Sequence, residues 1–164
     1  MKTLYKSELH SLIGNLYLFF NKKELLNISI NTYNNKWINH FFPDTIIKKS
    51  YDNIFLTQLK EYFYGLRKEF DLPIMLLGSK FQKDVWKSVS KIPFGDTISY
   101  KEVAQNINRK SAQRAVGNAL SKNPLLIIIP CHRVIKSNGN LGGFSAGVDV
   151  KKKLLSFEKE IFNG

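Results

Sequence analysis

Cysteine is almost absent from this chain: one residue of 164, Cys131, carries a thiol. A single cysteine excludes an intrachain disulfide and a structural zinc site built from several thiolates. Cys131 is therefore either a packed, inert side chain or a nucleophile that is kept reduced. The stretch IIIPCHRVIK, residues 127–136, places it between a proline and a histidine at the end of an apolar run.

Acidic residues are also scarce. Thirteen Asp and Glu stand against 25 Lys and Arg, which leaves a net charge of +12. An excess of this size suits a phosphate-rich partner, so nucleic acid is the leading interpretation. A membrane surface is the alternative, but no segment approaches the roughly 20 consecutive apolar residues that span a bilayer. The lysines are also spread along the chain rather than gathered into one anchor. We therefore expect no membrane partner.

The first ten residues, MKTLYKSELH, lack the apolar run of a signal peptide because Glu8 and His10 interrupt them. We therefore expect a cytoplasmic protein. Hydrophobic residues make up 43% of the chain, which is enough for the core of one or two globular units.

Residues 1–78 show the pattern of a small domain with an antiparallel sheet and a helix. Two aromatic and β-branched stretches, 12–20 and 25–30, flank the polar turn NKKE and predict a β-hairpin. A helix is predicted over 51–67, with Ser50 as its N-cap. The apolar stripe of this helix consists of Phe55, Leu59, Tyr62 and Leu66.

Pro73 and Gly78 mark a domain boundary, after which residues 79–164 predict a mainly helical domain. Two of its helices open with capping boxes, in which a serine and a Glu or Gln three residues later satisfy each other's backbone N–H groups. These pairs are Ser79 with Gln82 and Ser99 with Glu102. Ser111 is the predicted N-cap of a third helix, 112–122. The second and third helices, joined by a short polar turn, resemble a helix-turn-helix.

The third helix presents one arginine on its outer side. At about 100° per residue, its small apolar side chains gather on one face. They are Ala112, Ala115, Val116, Ala119 and Leu120. Arg114 points away from this face, with Ser121 near it. A helical arginine is commonly a solvated charge and nothing more, but in so basic a chain we favour contact with nucleic acid.

The apolar run 125–129 predicts a buried strand that leads to Cys131, and segment 134–140, which contains an Asn-Gly pair, predicts a hairpin. A thiol is a useful nucleophile as the thiolate, which needs a basic or cationic neighbour. His132 is adjacent in sequence, but neighbouring side chains of an extended chain point to opposite faces. Contact between the two therefore requires a bend or a bridging water. The pair alone is weak evidence for catalysis because lone cysteines are commonly buried and inert.

Longer motifs carry more information than this pair. They are FQKDVWKSVSKIPFGDTISYKEVA, RAVGNALSKNP, IPCHRV and GNLGGFSAG. In this order and spacing they resemble the O6-alkylguanine-DNA alkyltransferase family over residues 80–160, whereas residues 1–78 match in general layout only. The resemblance implies an α/β (α+β) fold. A small N-terminal domain, 1–78, precedes a mainly helical C-terminal domain, 79–164, that holds the helix-turn-helix and the active-site cysteine.

The resemblance implies one irreversible reaction on double-stranded DNA that contains O6-alkylguanine. Cys131 takes the alkyl group from O6 of guanine, or from O4 of thymine, and is not regenerated. His132 removes the thiol proton through a water, and Glu158 orients that histidine. Asn123 holds the turn before the active site, and Tyr100 assists rotation of the base and donates toward its ring. The resemblance implies no cofactor, no metal and a monomer.

The resemblance also implies how the damaged base is reached. Because O6 is enclosed in the duplex, the nucleotide must rotate out, and Arg114 fills the space that it leaves. The helix-turn-helix docks in the minor groove, and Ser145 donates to O6. The implied DNA-binding residues are Ser99, Arg114, Ala115 and Ser121. The implied substrate pocket consists of Tyr100, Val134, Phe144 and Ser145.

Two positions depart from the family pattern. Phe144 stands where many members have tyrosine, so a hydroxyl is absent but the ring remains. The turn NINRKS, residues 106–111, lacks the Gly-x-Pro that often precedes the second helix. Glu158 is ambiguous from the residues alone, since its helical angle places it at the edge of an apolar face, where we expect partial burial. That face consists of Val150, Leu154, Phe157 and Ile161. A surface salt bridge is the alternative role for Glu158.

Two other functions stay open at the level of sequence. One is a DNA-binding module without chemistry, as in relatives that bind alkylated DNA but lack the cysteine; the presence of Cys131 argues against it. The other is a Cys-His hydrolase acting on amides or esters, which leaves the basic charge and the outward Arg114 unexplained.

Overall fold

The computed structural model describes residues 2–164. The chain divides into two compact units, Met1–Leu77 and Gly78–Gly164. Within the described residues, no helix is both long enough and apolar enough to cross a membrane.

Four strands form the sheet of the first unit: β1 (Thr3–Ser11), β2 (Gly14–Phe20), β3 (Leu25–Ile30) and β4 (Ile46–Lys49). Their order is β3-β2-β1-β4, antiparallel between β3, β2 and β1, with β4 parallel to β1. The predicted hairpin is confirmed as β2 and β3. The Asn21 side chain closes its turn by accepting bonds from the N–H groups of Lys23 and Glu24, both at 2.7 Å. Strand β1 was not expected from the sequence, because Lys6 and Glu8 interrupt its apolar pattern.

Two helices, α1 (Asn35–Phe41) and α2 (Ile54–Phe63), accompany this sheet. The predicted bounds of α2 and its cap are wrong. Asn53, not Ser50, is the N-cap, and its Oδ1 accepts a bond of 2.9 Å from the N–H of Leu56. Phe55, Leu59 and Tyr62 are buried as predicted. Leu66 lies beyond the helix and is 78% exposed, because the chain turns at Gly65 with φ of 72°.

The second unit is mainly helical. Its elements are α3 (Lys80–Val89), β5 (Ile98–Ser99), α4 (Tyr100–Asn106), α5 (Gln113–Ser121), a 3₁₀ turn (Cys131–Arg133), β6 (Val134–Ile135) and α6 (Val148–Asn163). Both predicted capping boxes are confirmed, at Ser79 for α3 and at Ser99 for α4. Trp86 donates its indole N–H to the carbonyl of Ala119 at 2.9 Å, which joins α3 to α5. This buried bond fixes the second helix of the helix-turn-helix against the core.

Helix α5 differs from the prediction in two ways. Ser111 is not its cap: Ala112 occupies that position and makes no side-chain cap bond. Ala115, predicted on the inner face, is exposed. Val116, Ala119 and Leu120 form the buried face. Arg114 is exposed as predicted.

The segment around 125–129 is buried, but it is not a strand. It is a turn closed by the Ile129 N–H on the Leu125 carbonyl at 2.9 Å. Ile127 takes a φ of 76°, a conformation that is costly for a β-branched residue. The hairpin predicted over 134–140 is also wrong, because β6 pairs in parallel with β5. Its Asn-Gly turn does form, with the Lys136 N–H bonded to the Asn140 carbonyl at 2.8 Å.

Candidate active site

Cys131 lies in a short turn that the Asn123 side chain holds in place. The Asn123 amide donates to the Ile129 carbonyl at 2.9 Å and to Sγ of Cys131 at 3.1 Å. Its carbonyl oxygen accepts from the Leu125 N–H at 2.9 Å. The Asn123 side chain therefore makes hydrogen bonds to buried backbone groups that a neighbouring strand would otherwise make. It also orients the Cys131 thiol.

His132 and Glu158 form a buried pair, with Nε2 of the ring 2.7 Å from Oε1 of the carboxylate. The carboxylate accepts only, so Nε2 carries the proton and Nδ1 is the basic nitrogen. Within residues 2–164, Nδ1 is buried and has no hydrogen-bond partner. The ring therefore has one atom able to accept a proton, and it belongs to the residue next to the cysteine.

Arg133 completes the cluster, although sequence analysis assigned it no role. Its guanidinium group donates to both oxygens of Glu158, at 2.9 and 2.8 Å, and to the Ile92 carbonyl at 2.7 Å. Glu158 is only 1% exposed, so the expectation of partial burial is wrong. The inner face of α6 consists of Lys151, Leu154 and Glu158. Apolar periodicity could not reveal it, because two of these three residues are charged.

The burial of these groups sets their protonation. Burial opposes the charge of Glu158, but hydrogen bonds from His132 and Arg133 outweigh it and hold the pKa of the carboxyl group below its ordinary value. Burial lowers the pKa of His132, although Glu158 opposes the shift. Burial also raises the pKa of Cys131 to about 11, against the smaller effect of the Asn123 bond. At neutral pH the site therefore holds a thiol, a neutral imidazole and a carboxylate, so the thiolate must form during the reaction.

A cavity of about 600 Å³ opens onto the thiol. Its walls bring together several residues that the sequence singled out: Tyr100, Arg114, Ser121, Cys131, Phe144 and Ser145. Val134 does not line it; this residue is fully buried and offers its backbone carbonyl to Lys151 instead. The Val134 side chain is therefore not part of this wall, and its assignment to the substrate pocket stays a prediction.

Tyr100 lies at the start of α4 and points its hydroxyl toward the Gly143 carbonyl, 3.5 Å away. Burial, and then the nearby Cys131, raise the pKa of this phenol. The hydroxyl thus stays protonated at neutral pH and can donate a hydrogen bond into the cavity.

The remaining residues assigned to DNA binding are not all free to reach a partner. The Ser99 hydroxyl is engaged as the cap of α4, at 3.1 Å from the Glu102 N–H. Ser121 donates to the Asn118 carbonyl at 2.6 Å, and Ala115 is exposed. Arg114 extends from the exposed side of α5 and also lines the cavity. Ser121 is exposed on the same helix and lines the cavity too, so Arg114 and Ser121 both join the helix surface to the thiol pocket, and Arg114 is the one that carries a charge.

The described residues contain no cluster of three or more His, Cys, Asp and Glu side chains that could hold a metal ion.

Comparison with known proteins agrees with this arrangement. Residues 80–160 match the family model described as 6-O-methylguanine DNA methyltransferase, DNA binding domain. The chain is 40% identical over 156 residues to the methylated-DNA–protein-cysteine methyltransferase of Methanosarcina barkeri, covering 95% of this chain and 98% of that protein. The chain belongs to the methylated-DNA–protein-cysteine methyltransferase family.

Another member of the methylated-DNA–protein-cysteine methyltransferase family, the inducible protein of Bacillus subtilis, is 40% identical over 126 residues, which are 76% of this chain and 70% of that protein. The crystal structure of Mycobacterium tuberculosis OGT in complex with DNA superposes with a TM-score of 0.86 at 35% identity, covering 97% of this chain and 94% of that chain. The α/β fold expected from the sequence is therefore confirmed.

The first prediction concerns the buried ion cluster. Replacing Glu158 with Gln should lower the free energy of unfolding by about 3–5 kcal/mol, because the Arg133 charge stays buried without its carboxylate. Urea denaturation is the measurement. The control is Glu160→Gln, an exposed position on the same helix, which should change stability by less than about 0.5 kcal/mol. Equal stability of the two variants would show that the cluster contributes nothing.

The second prediction concerns acid. Glu158 has a folded pKa below its ordinary 4.5 and His132 one below its ordinary 6.5. For both groups the unfolded chain binds more protons, so stability is complete above the ordinary pKa and is lost as pH falls below it. The thermal midpoint should therefore rise steadily from about pH 3.5 to pH 7. The rise should be smaller in Glu158→Gln, and an equal rise in that variant would contradict the assignment.

Proposed function

We propose that this protein repairs DNA by direct reversal, transferring an alkyl group from O6 of guanine to its own Cys131. The observation that carries the proposal is the shared cavity, which holds the thiol at its base and Arg114 of the exposed helix at its wall. Its family membership and its likeness to a structure solved with DNA support the same function.

The transfer is a displacement at the alkyl carbon. The sulfur forms a bond to that carbon as the carbon–O6 bond breaks, and the electron pair stays on the guanine. The thiol proton passes to Nδ1 of His132, directly or through a water. The guanine anion takes up a proton through the Tyr100 hydroxyl, which regains one from solvent, and His132 releases the thiol proton to solvent, so no charge is left on the protein. The products are an S-alkylcysteine and an intact guanine, so each protein molecule reacts once.

The buried cluster supports the proton transfer. Neutral His132 becomes positively charged when it accepts the proton, and the Glu158 carboxylate 2.7 Å from Nε2 stabilises that charge. Arg133 holds both oxygens of Glu158, so the carboxylate cannot turn away. Because His132 takes the proton as the sulfur attacks, the thiolate need not form before the reaction. The raised pKa of Cys131 therefore does not prevent the transfer.

The DNA partner is double-stranded and carries O6-alkylguanine. The alkyl group is inaccessible in the stack, so the nucleotide must rotate into the cavity. Arg114 extends from α5 at the edge of the cavity, where it can fill the space left in the duplex. Because thiol, imidazole and arginine all come from one chain, we propose that a single copy acts alone.

The experiment that tests the function uses duplex DNA with a labelled methyl group on O6 of guanine. The label should move to the protein, at most one equivalent per chain, and mass spectrometry should locate it on Cys131. The variant Cys131→Ala should bind the DNA but take up no label. Binding without transfer by the native protein would favour the non-catalytic module, and repeated turnover would favour a hydrolase.

The prediction for Arg114 separates extrusion from chemistry. Arg114→Ala should slow repair of duplex DNA at least about tenfold more than it slows reaction with free O6-benzylguanine, since only the duplex requires base rotation. Single-turnover rates on both substrates are the measurement. Arg109→Ala removes the same charge from the preceding turn and should weaken DNA binding without this difference. Equal losses on both substrates for Arg114→Ala would place this residue in structure or chemistry instead.

The prediction for Gly142 concerns the cavity wall. A Cβ atom there would lie 2.7 Å from the Tyr100 hydroxyl oxygen. Gly142→Ala should therefore displace Tyr100 and slow reaction with O6-benzylguanine by about tenfold or more. Gly139→Ala is the matched control: it has a similar φ, 87° against 73°, but its Cβ would meet no atom within 4 Å. If both variants react equally slowly, backbone strain rather than the Tyr100 contact is responsible.

A further inference from the structure

Lys151 is a buried lysine in the first turn of α6, with no solvent exposure. Its ammonium group donates to the carbonyls of Val134 and Leu141 and, at 3.2 Å, to that of Gly143. An ammonium group has three donors, so these bonds satisfy it completely. Within residues 2–164 it has no carboxylate partner at ion-pair distance. The hydrogen bonds that hold this buried ammonium group therefore come from backbone carbonyls and not from a carboxylate.

The three carbonyls belong to the segment that builds the cavity wall. Val134 directly follows the turn that carries Cys131. Leu141 and Gly143 lie at the other end of the segment, immediately before Phe144 and Ser145, which line the cavity. One side chain thus ties the beginning of segment 134–143 to its end.

Lys151 also connects to Tyr100. Both side chains donate to the Gly143 carbonyl, the lysine at 3.2 Å and the phenol at 3.5 Å. The lysine nitrogen lies 5.7 Å from the centre of the Tyr100 ring, within the range of a cation–π contact. Movement of the lysine would therefore be transmitted to the hydroxyl that faces the substrate.

The charge of Lys151 acts on the thiol as well. It lowers the pKa of Cys131, although burial dominates that group. Conversely, burial lowers the pKa of Lys151 to about 8, against an opposing effect of Cys131. The lysine can therefore lose its charge within a pH range that is accessible to experiment.

We propose that Lys151 is a positioning residue for alkyl transfer, whose buried ammonium group fixes segment 134–143 as the cavity wall and stabilises the Cys131 thiolate. The proposal rests on the proposed function for its effect on transfer, but its effect on the thiol can be measured without any DNA or alkylated base.

The first experiment measures the thiol alone. Iodoacetamide alkylates a thiolate, forming a sulfur–carbon bond and releasing iodide, so its rate against pH reports the ionisation of Cys131. The rate should fall about tenfold in Lys151→Met at pH 8, because the thiolate loses the electrostatic support of the Lys151 charge. The matched control is Lys152→Met, which removes the same charge from an exposed position and should react like the native protein.

The second experiment measures transfer from free O6-benzylguanine against pH. The groups facing Lys151 titrate elsewhere: Tyr100 and Cys131 have pKa values raised above 10 and 9, and His132 has one lowered below 6.5. The proposal assigns the support of alkyl transfer to the charged form of Lys151. The transfer rate of the native protein should therefore decline as pH rises through about 8 and this charge is lost. Lys151→Met should be about 10- to 100-fold slower at pH 7 and show no such decline.

Lys151→Arg keeps the proposal testable if the methionine variant does not fold. Arginine retains its charge throughout this range, so the decline above pH 8 should disappear. Its planar group cannot reproduce the three bonds, so the rate at pH 7 should be several-fold lower.

The outcomes separate the two proposals. Native behaviour of Lys151→Met in both experiments, or a decline that persists in Lys151→Arg, would overturn the role of Lys151 and leave the proposed function intact. If the native protein transfers no alkyl group, the proposed function fails, and the iodoacetamide profiles still decide whether Lys151 supports the thiolate.

Discussion

The carboxylate of Glu158 is the point on which the second unit depends. A charge that is 1% exposed is stable only with partners, and Glu158 has them in the cysteine turn, at Arg133 and His132, and at the Gly95 N–H, 3.3 Å away. Arg133 extends the contact to the Ile92 carbonyl beyond the end of α3. Removing the carboxylate leaves the Arg133 charge buried without a counter-charge. The ion cluster therefore fixes α6, the cysteine turn and the end of α3 in one arrangement.

This arrangement reconciles two demands on the thiol. A protein that reacts once should not lose its cysteine to other electrophiles or oxidants, and burial that raises the pKa of Cys131 to about 11 keeps the group a thiol at neutral pH. The same burial would prevent reaction if nothing could take the proton. His132 provides the acceptor, because Glu158 holds its Nε2 and leaves Nδ1 basic. The same buried groups thus keep the thiol protonated while no substrate is present and take its proton when a substrate arrives.

The features that could be predicted from the sequence are those whose signal is local. The capping boxes at Ser79 and Ser99 need residues three positions apart, and both form. The outward direction of Arg114 follows from helical periodicity alone. By contrast, an apolar, β-branched segment such as 125–129 can be either a strand or a buried turn. Here it is a turn, because the Asn123 side chain hydrogen-bonds to its backbone groups. The pairing of buried charges could not be predicted either. The partner of Arg133, Glu158, is 25 residues away in the sequence, and no local pattern around Arg133 indicates it.

Helix α5, which we propose contacts DNA, and Cys131 share the same supports. Asn123 donates its backbone N–H to the Leu120 carbonyl at the end of α5, at 3.0 Å, while its side chain reaches Sγ of Cys131 at 3.1 Å. Trp86 holds the Ala119 carbonyl one residue earlier. The last turn of α5 is therefore fixed by groups that also define the cysteine turn. Because Arg114 lies on this helix and lines the cavity of Cys131, a displacement of α5 against its DNA partner would change the position of the thiol relative to an incoming base. Recognition and chemistry are thus constrained by one set of buried hydrogen bonds rather than by two independent sites.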